Sequence, residues 1–186
     1  MVREPLDRQG EENAERYKAL ALPHLDELYT LARYLLRSAS EADDAVQECY
    51  LRALRHFGSY RGPAIKPWLM TILRNVCHAA RAGNARLAYT GEDSKPDAVP
   101  MWREGDDTPE QAMLRRDESD ALRRLIARLP EEFREVLVLR EVNDCSYRDI
   151  AAIIDAPVGT VMSRLARARS MLREAWIAAE GEDRST

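Results

Sequence analysis

SYRDIAAIIDAPVGTVMSRLARARSML, residues 146–172, decides the fold. Ser146 with Asp149 reads as a capping box, a hydroxyl and a carboxylate that satisfy the free amides of a helix start. It opens a short helix through Ile154. Asp155-Ala156-Pro157 is a turn, and a second helix runs from about Gly159 to Ala178. In that helix Val158, Val161, Leu165, Ala168 and Leu172 recur at helical spacing, which predicts one buried stripe. The opposite side presents Gly159, Ser163, Ala166, Arg167 and Ser170. Thr160 and Arg164 lie on one flank, Met162 and Arg169 on the other. A capped helix, a tight turn and a longer helix make a helix-turn-helix. Small outward residues let the backbone approach a DNA major groove. Arginine pairs with guanine edges or phosphate, and the helix N-terminus with Thr160 suits phosphate.

Charge along the chain supports that reading. The whole chain has 186 residues and a net charge of −4. Residues 49–91 nevertheless hold seven basic side chains and no acid, and residues 158–173 hold four Arg and no acid. Two acid-free basic blocks in an acidic chain predict surfaces that face a polyanion and stand clear of carboxylates. Residues 92–113 carry seven acids against two bases, with several Gly and Pro nearby. They read as an acidic tether.

Working outward, residues 1–13 read as a frayed tail, and helical periodicity begins near Ala14. Pro23 opens a helix to about Arg37, with Leu25, Leu28, Tyr29, Ala32, Leu35 and Leu36 inward. Ser40 with Asp43 reads as a capping box for a helix to about Phe57. Its apolar face is Val46, Cys49, Tyr50, Ala53, Leu54 and Phe57. Gly58 ends it, residues 59–66 form a loop, and Pro67 sits in the first turn of the next helix. Leu69, Ile72, Leu73, Val76 and Ala80 point inward there. Beyond the tether, a helix is expected from about Glu110 to Leu129, carrying Leu114, Leu122, Leu125, Ile126 and Leu129, and another over 131–142. No segment has strand period. The fold class is all-α: two small helical domains joined by a flexible acidic linker, with domains over 14–83 and 110–178 and the linker over 84–109.

Other classes are excluded. No apolar run approaches the ~18 residues of a membrane span, so no direct membrane insertion is expected. The charged start reads as no secretory signal, and the expected location is cytoplasmic. Three cysteines without CxxC spacing argue against a disulfide scaffold and a zinc site. Cys49 reads as a core thiol. His24, His56 and His78 lack ligand spacing. No nucleophile elbow, Walker motif or HExxH occurs. No catalytic residue, metal or cofactor is expected, and the chain does not read as an enzyme.

DDAVQECYLRALRHF (43–57), WLMTILRN (68–75) and the stretch from Leu129 to Arg169 resemble the sigma-70 family, specifically its extracytoplasmic-function (ECF) group. The resemblance covers about Leu22 to Glu174 in the right order. It implies a promoter-specificity subunit of bacterial RNA polymerase with a sigma-2-like bundle and a sigma-4-like helix-turn-helix. Core polymerase would bind Asp44, Gln47, Glu48, Leu51 and Arg52. The −10 promoter element would be read by Tyr60, Arg61, Lys66, Arg74, Asn75, His78 and Arg81, because capturing an unstacked base needs cations with aromatic or amide groups. Trp68 reads as a packing residue. The −35 element would fall to Arg140, Thr160, Ser163, Arg164 and Arg167. Met162 stands where a basic residue is frequent, and Ala166 where a larger side chain occurs. The implied partners are the polymerase beta-prime clamp and beta flap, promoter DNA and an anti-sigma factor. Two alternatives stay open: a polymerase-independent helix-turn-helix regulator, and a sigma mimic that titrates an anti-sigma factor.

Overall fold

The computed structural model describes residues 5–36, 38–87 and 121–183. Helix α1 spans Pro5–Ala21, α2 Leu25–Leu36, α3 Ala39–His56 and α4 Ile65–Leu87. Helix α5 covers 121–128, followed by α6 (Glu131–Glu141), α7 (Tyr147–Ile154) and α8 (Val158–Asp183). Short 3-10 turns occupy Leu22–His24 and Phe57–Ser59. No strand occurs among the described residues, and the all-α class holds. The expected acidic tether and the helix start at Glu110, with Leu114, lie outside the described residues.

The start of the chain departs from the reading as a frayed tail, since α1 is helical from Pro5. Proline suits a first helical position because its missing amide would be unpaired there anyway. Helix α1 is pinned to α3 by two tyrosines. Tyr17 donates its hydroxyl to the carbonyl of Tyr50, and Tyr50 donates to that of Ala21, each at 2.9 Å. Burial raises both phenols, that of Tyr50 to about 12. The cap of α3 is also two residues earlier than the Ser40–Asp43 reading. Ser38 is the N-cap, extended at φ −108 and ψ 135, and its Oγ accepts from the Glu41 amide. Both pairs fit the same Ser-x-x-acid pattern, and the backbone chose the serine that lies outside the helix.

Helix α4 opens at Ile65, so that Pro67 falls in its first turn as expected. Leu69, Met70, Leu73, Val76 and Cys77 are buried. In the second half, the Ser146–Asp149 capping box is present in both directions. Asp155 closes α7 in the left-handed conformation at φ 51, which makes the turn that aims α8. Arg134 is buried and donates to the carbonyls of Ala127 and Leu129, both at 3.0 Å, which satisfies the end of α5.

Four positions expected inside lie outside. Leu25 is 44% exposed, Leu54 44%, Leu122 38% and Val158 38%. Leu25 and Val158 belong to the first turns of their helices. Leu54 instead lines a groove described below. The rest of the α8 stripe holds: Val161, Leu165 and Ala168 are fully buried.

One hydrophobic cluster runs through the whole described molecule, from Leu28, Leu31, Leu69 and Leu73 to Val136, Leu139, Ile150 and Leu165. Helix α2 lies against α6, and α4 against α7. The two helical groups are therefore docked on one another. Each fully buried leucine contributes about 1.5–3 kcal/mol, so docking is chiefly an apolar contact. The three cysteines are all free and buried, and burial pushes their thiols up, Cys49 and Cys77 to about 12 and Cys145 to about 11.

Replacing Ser146 by Ala removes the α7 cap and is expected to cost about 1 kcal/mol. Urea unfolding checks this; an unshifted midpoint would show that the box adds nothing to stability.

Candidate polymerase and nucleic-acid interface

The outward side of α3 is open. Asp44, Gln47, Leu51 and Arg52 are exposed, and Glu48 is at the edge of exposure. Arg52 Nε donates to Glu48 Oε1 at 2.6 Å within the helix. Leu51 is 49% exposed and adjoins an apolar groove of about 390 Å³ lined by Tyr17, Lys18, Gln47, Tyr50 and Leu54. The groove lies between α1 and α3. It was not legible in the sequence because Leu54 read as core and nothing local places α1 beside α3.

The loop before α4 is folded on itself. Arg61 donates to the carbonyls of Gly58 and Tyr60, at 2.8 and 2.9 Å. The Tyr60 ring lies between Phe57 and Trp68, with centroids 6.1 and 4.8 Å away. A side chain at Gly62 would meet Tyr60 Cε2 at 2.8 Å, so only glycine lets the loop close over that ring. Tyr60 Oη is buried with no hydrogen-bond partner. Trp68 packs on Tyr60 and the core.

Along α4 the basic residues are engaged. Lys66 Nζ meets Glu27 Oε1 at 2.5 Å, and His24 Nδ1 lies 2.7 Å from Glu27 Oε2. Arg74 Nε donates to Glu135 Oε1 at 2.7 Å, and its Nη2 lies 3.4 Å from Oε2. His78 lies 3.5 Å from Glu135 and 3.8 Å from Glu131. Arg81 pairs with Glu131. Of the expected −10 set, Asn75 is exposed and Arg61 is turned to backbone. The basic α4 surface does not stand clear of carboxylates, contrary to the expectation from its acid-free sequence. A stretch without acids cannot neutralise itself, so the carboxylates come from α2 and α6.

Glu135 is the centre of this contact, with a side chain 3% exposed. Burial alone would raise its carboxyl, but hydrogen bonding from His78 and Arg74 outweighs burial and holds it below the ordinary value of 4.5. Glu27 behaves alike: burial raises it, and Lys66 and His24 bring it down. Removing one partner of a buried pair costs about 3–5 kcal/mol. The Arg81–Glu131 pair is 41% and 32% exposed on its two sides and contributes under about 1 kcal/mol. Asn143, only 1% exposed, adds a polar tie by donating to the Glu27 carbonyl at 2.9 Å. Glu27, Glu131, Glu135 and Asn143 were missed in the sequence. The available signal was spacing: acids at i, i+4 on α6 match Arg74, His78 and Arg81 at i, i+4, i+7 on α4.

On α8, Ser163, Ala166, Arg167 and Ser170 form an exposed row, with Thr160 half-buried beside it. Ser163 donates to the Thr160 carbonyl at 3.0 Å. Arg164 meets Glu132 at 3.2 Å, and Arg169 meets Glu141 at 2.6 Å. Arg140 donates to the Cys145 carbonyl at 3.0 Å and lies over Tyr147, so it braces the turn before α7. No group of three or more His, Cys, Asp and Glu among the described residues could hold a metal ion. No described helix is long and apolar enough to cross a membrane.

The comparisons agree with this two-part layout. Residues 20–87 match the family model of sigma-70 region 2, and residues 119–172 that of sigma-70 region 4. The chain is 33% identical to the RNA polymerase sigma-H factor of Pseudomonas aeruginosa, over 94% of this chain and 96% of that one. It is 36% identical to the ECF RNA polymerase sigma-E factor of Haemophilus influenzae, over 76% and 77%. The solved sigma factor RpoE of Bartonella quintana, in complex with the anti-sigma factor NepR, superimposes with a TM-score of 0.72 at 26% identity, covering 87% of this chain and 97% of that one. A four-helix unit followed by a helix-turn-helix is the layout of a transcription-initiation protein of the sigma type. The chain belongs to the sigma-70 family of RNA polymerase sigma factors, in its ECF group. The family is one of DNA-binding regulators.

The sign of the pH dependence follows from Glu135. Its carboxyl is lowered on folding, so the pairing stabilises the docked form fully above the ordinary value of 4.5 and is lost as pH falls through the lowered one. Urea midpoints measured through that acid range are expected to fall with pH in the parent and to fall less in Glu135→Gln. Parallel curves would remove Glu135 from this role.

Proposed function

We propose that this chain is a dissociable specificity subunit that docks on core RNA polymerase, reads −35 and −10 promoter elements and nucleates strand separation. The polymerase performs the chemistry, and this chain supplies no catalytic group. The site of action is the cytoplasm, where polymerase and chromosome meet. The working units are 14–83 and 110–178, joined by 84–109.

The exposed α8 row carries the reading. Ser163, Ala166, Arg167 and Ser170 are small or basic and lie on a helix aimed by the Asp155 turn. Such a surface admits a DNA groove, with Arg167 for a base edge or phosphate and the helix start at Thr160 for phosphate. Arg164 joins it once Glu132 is displaced, and Arg140 holds the turn from behind. The α3 side, with Asp44, Gln47, Glu48, Leu51 and Arg52 around an apolar centre, suits the beta-prime clamp. The second unit would meet the beta flap. On α4, Lys66, Arg74, Asn75, His78 and Arg81, with Tyr60 and Arg61 in the loop, suit the −10 strand. An anti-sigma factor, as found with the Bartonella relative, is the expected regulator.

Core polymerase plus this chain is expected to start transcripts at a cognate promoter set, found by sequencing transcript ends after overexpression. Failure to bind core at micromolar concentration would overturn the proposal. Leu51→Asp is expected to weaken core binding about tenfold or more, since it puts a charge at the apolar centre. Arg167→Ala is expected to weaken promoter use by about 1–3 kcal/mol, read as transcript yield from the cognate promoter. An unchanged promoter profile would remove its assigned role.

A further inference from the structure

We propose that Met162 is a thymine reader: its thioether, exposed beside the outward row of α8, packs on the 5-methyl group of a thymine in the −35 element. This deepens, and rests on, the reading of α8 as the helix that enters promoter DNA.

Three observations carry it. First, Met162 stands clear of the protein. It is 54% exposed although Val161 beside it is fully buried, and Val158, one turn earlier, is 38% exposed. Second, its neighbours on the outward side are very small. A Cβ added at Gly159, three residues back, would meet nothing within 4 Å, and Ala166, four residues on, is exposed. Residues three and four apart share a helix face, and a long side chain leans toward the helix start. That directs the thioether toward the Val158–Gly159 turn, the end that a recognition helix presents to base edges. Third, the surroundings favour DNA. Residues 158–173 contain four Arg and no acid, and Ser163 and Arg167 are exposed in the adjoining row. On the flank of Met162 itself, Arg169 is held by Glu141 at 2.6 Å, which leaves that edge to apolar contact.

The chemistry selects one base. In the major groove thymine alone offers an apolar group, its 5-methyl, whereas guanine shows two acceptors, cytosine a donor and adenine one of each. A thioether donates no hydrogen bond and accepts only weakly. Set against guanine, cytosine or adenine, it would strip water from polar groups and give nothing in return. Arg167 takes guanine or phosphate, so the two side chains divide the work between a charged contact and an apolar one. The −35 element is therefore expected to carry at least one thymine within reach of the start of α8.

The test uses core polymerase with the full chain on a duplex promoter fragment, taken from the strongest start found by sequencing transcript ends. Each −35 thymine is replaced in turn by uracil, which lacks the methyl group and keeps the base pair. With the parent chain, uracil at the position read by Met162 is expected to weaken binding about fourfold, the worth of one buried methyl group. Met162→Ala is expected to bind the thymine fragment more weakly than the parent and to treat thymine and uracil alike. Met162→Leu, which keeps an apolar side chain of similar size, is expected to keep the difference. The uracil series on the parent needs no variant, so it decides the question whatever the variants do to folding. A −35 element without thymine, a parent indifferent to uracil at every position, or Met162→Ala as sensitive as the parent overturns the proposal. Failure of core plus the parent chain to start specific transcripts removes the sigma-factor reading and this proposal with it. Specific transcripts with uracil tolerated everywhere remove only the thymine contact.

Discussion

A carboxylate inside an apolar contact must have cations beside it, and Glu135 meets that demand with Arg74 and His78. The geometry of the docked molecule follows from this requirement. The side chain is almost fully enclosed between α6 and α4, so neither helix can shift without exposing a charge to an apolar wall. Apolar burial between α2 and α6 and between α4 and α7 supplies most of the attraction but has little direction. The buried ion pair and the Asn143 bond fix the register, because an ill-placed charge or amide costs more than an ill-placed methyl group.

Helix α4 therefore serves two tasks on two faces. Leu69, Met70, Leu73 and Val76 close the core of the first unit. The basic row of Arg74, His78 and Arg81 faces the α6 carboxylates of the second unit. The loop ahead of it is stiffened differently, by the Phe57–Tyr60–Trp68 ring stack and by the close approach that Gly62 allows.

The three surfaces differ in accessibility, and the difference has a physical origin. Helix α3 shows its polar and apolar mixture to solvent on its outward side, and it packs chiefly on α4, α2 and α1 of the first unit. Helix α8 is half-engaged, with Arg167 exposed and Arg164 and Arg169 drawn to carboxylates. Exposed pairs of this kind are weak and exchange readily with a polyanion, whereas the buried pair at Glu135 does not.

Local chemistry was legible in the sequence. The Ser146–Asp149 box, the Asp155 turn, the α8 stripe and the all-α class follow from hydrogen-bonding groups and apolar spacing within a few residues of each other. The outward rows of α3 and α8 were legible too, because helical period sets them. Where two local signals were equal, as with Ser38 and Ser40, the sequence could not choose, and at the start of the chain, read as tail through residue 13 but helical from Pro5, it underestimated the helix. Which charge meets which was decided only in three dimensions. Glu135 stands 61 residues from Arg74, and Asn143 stands 116 from Glu27. Helical period fixes the direction of a side chain relative to its own axis, but only the packing of one helix on another fixes what lies opposite.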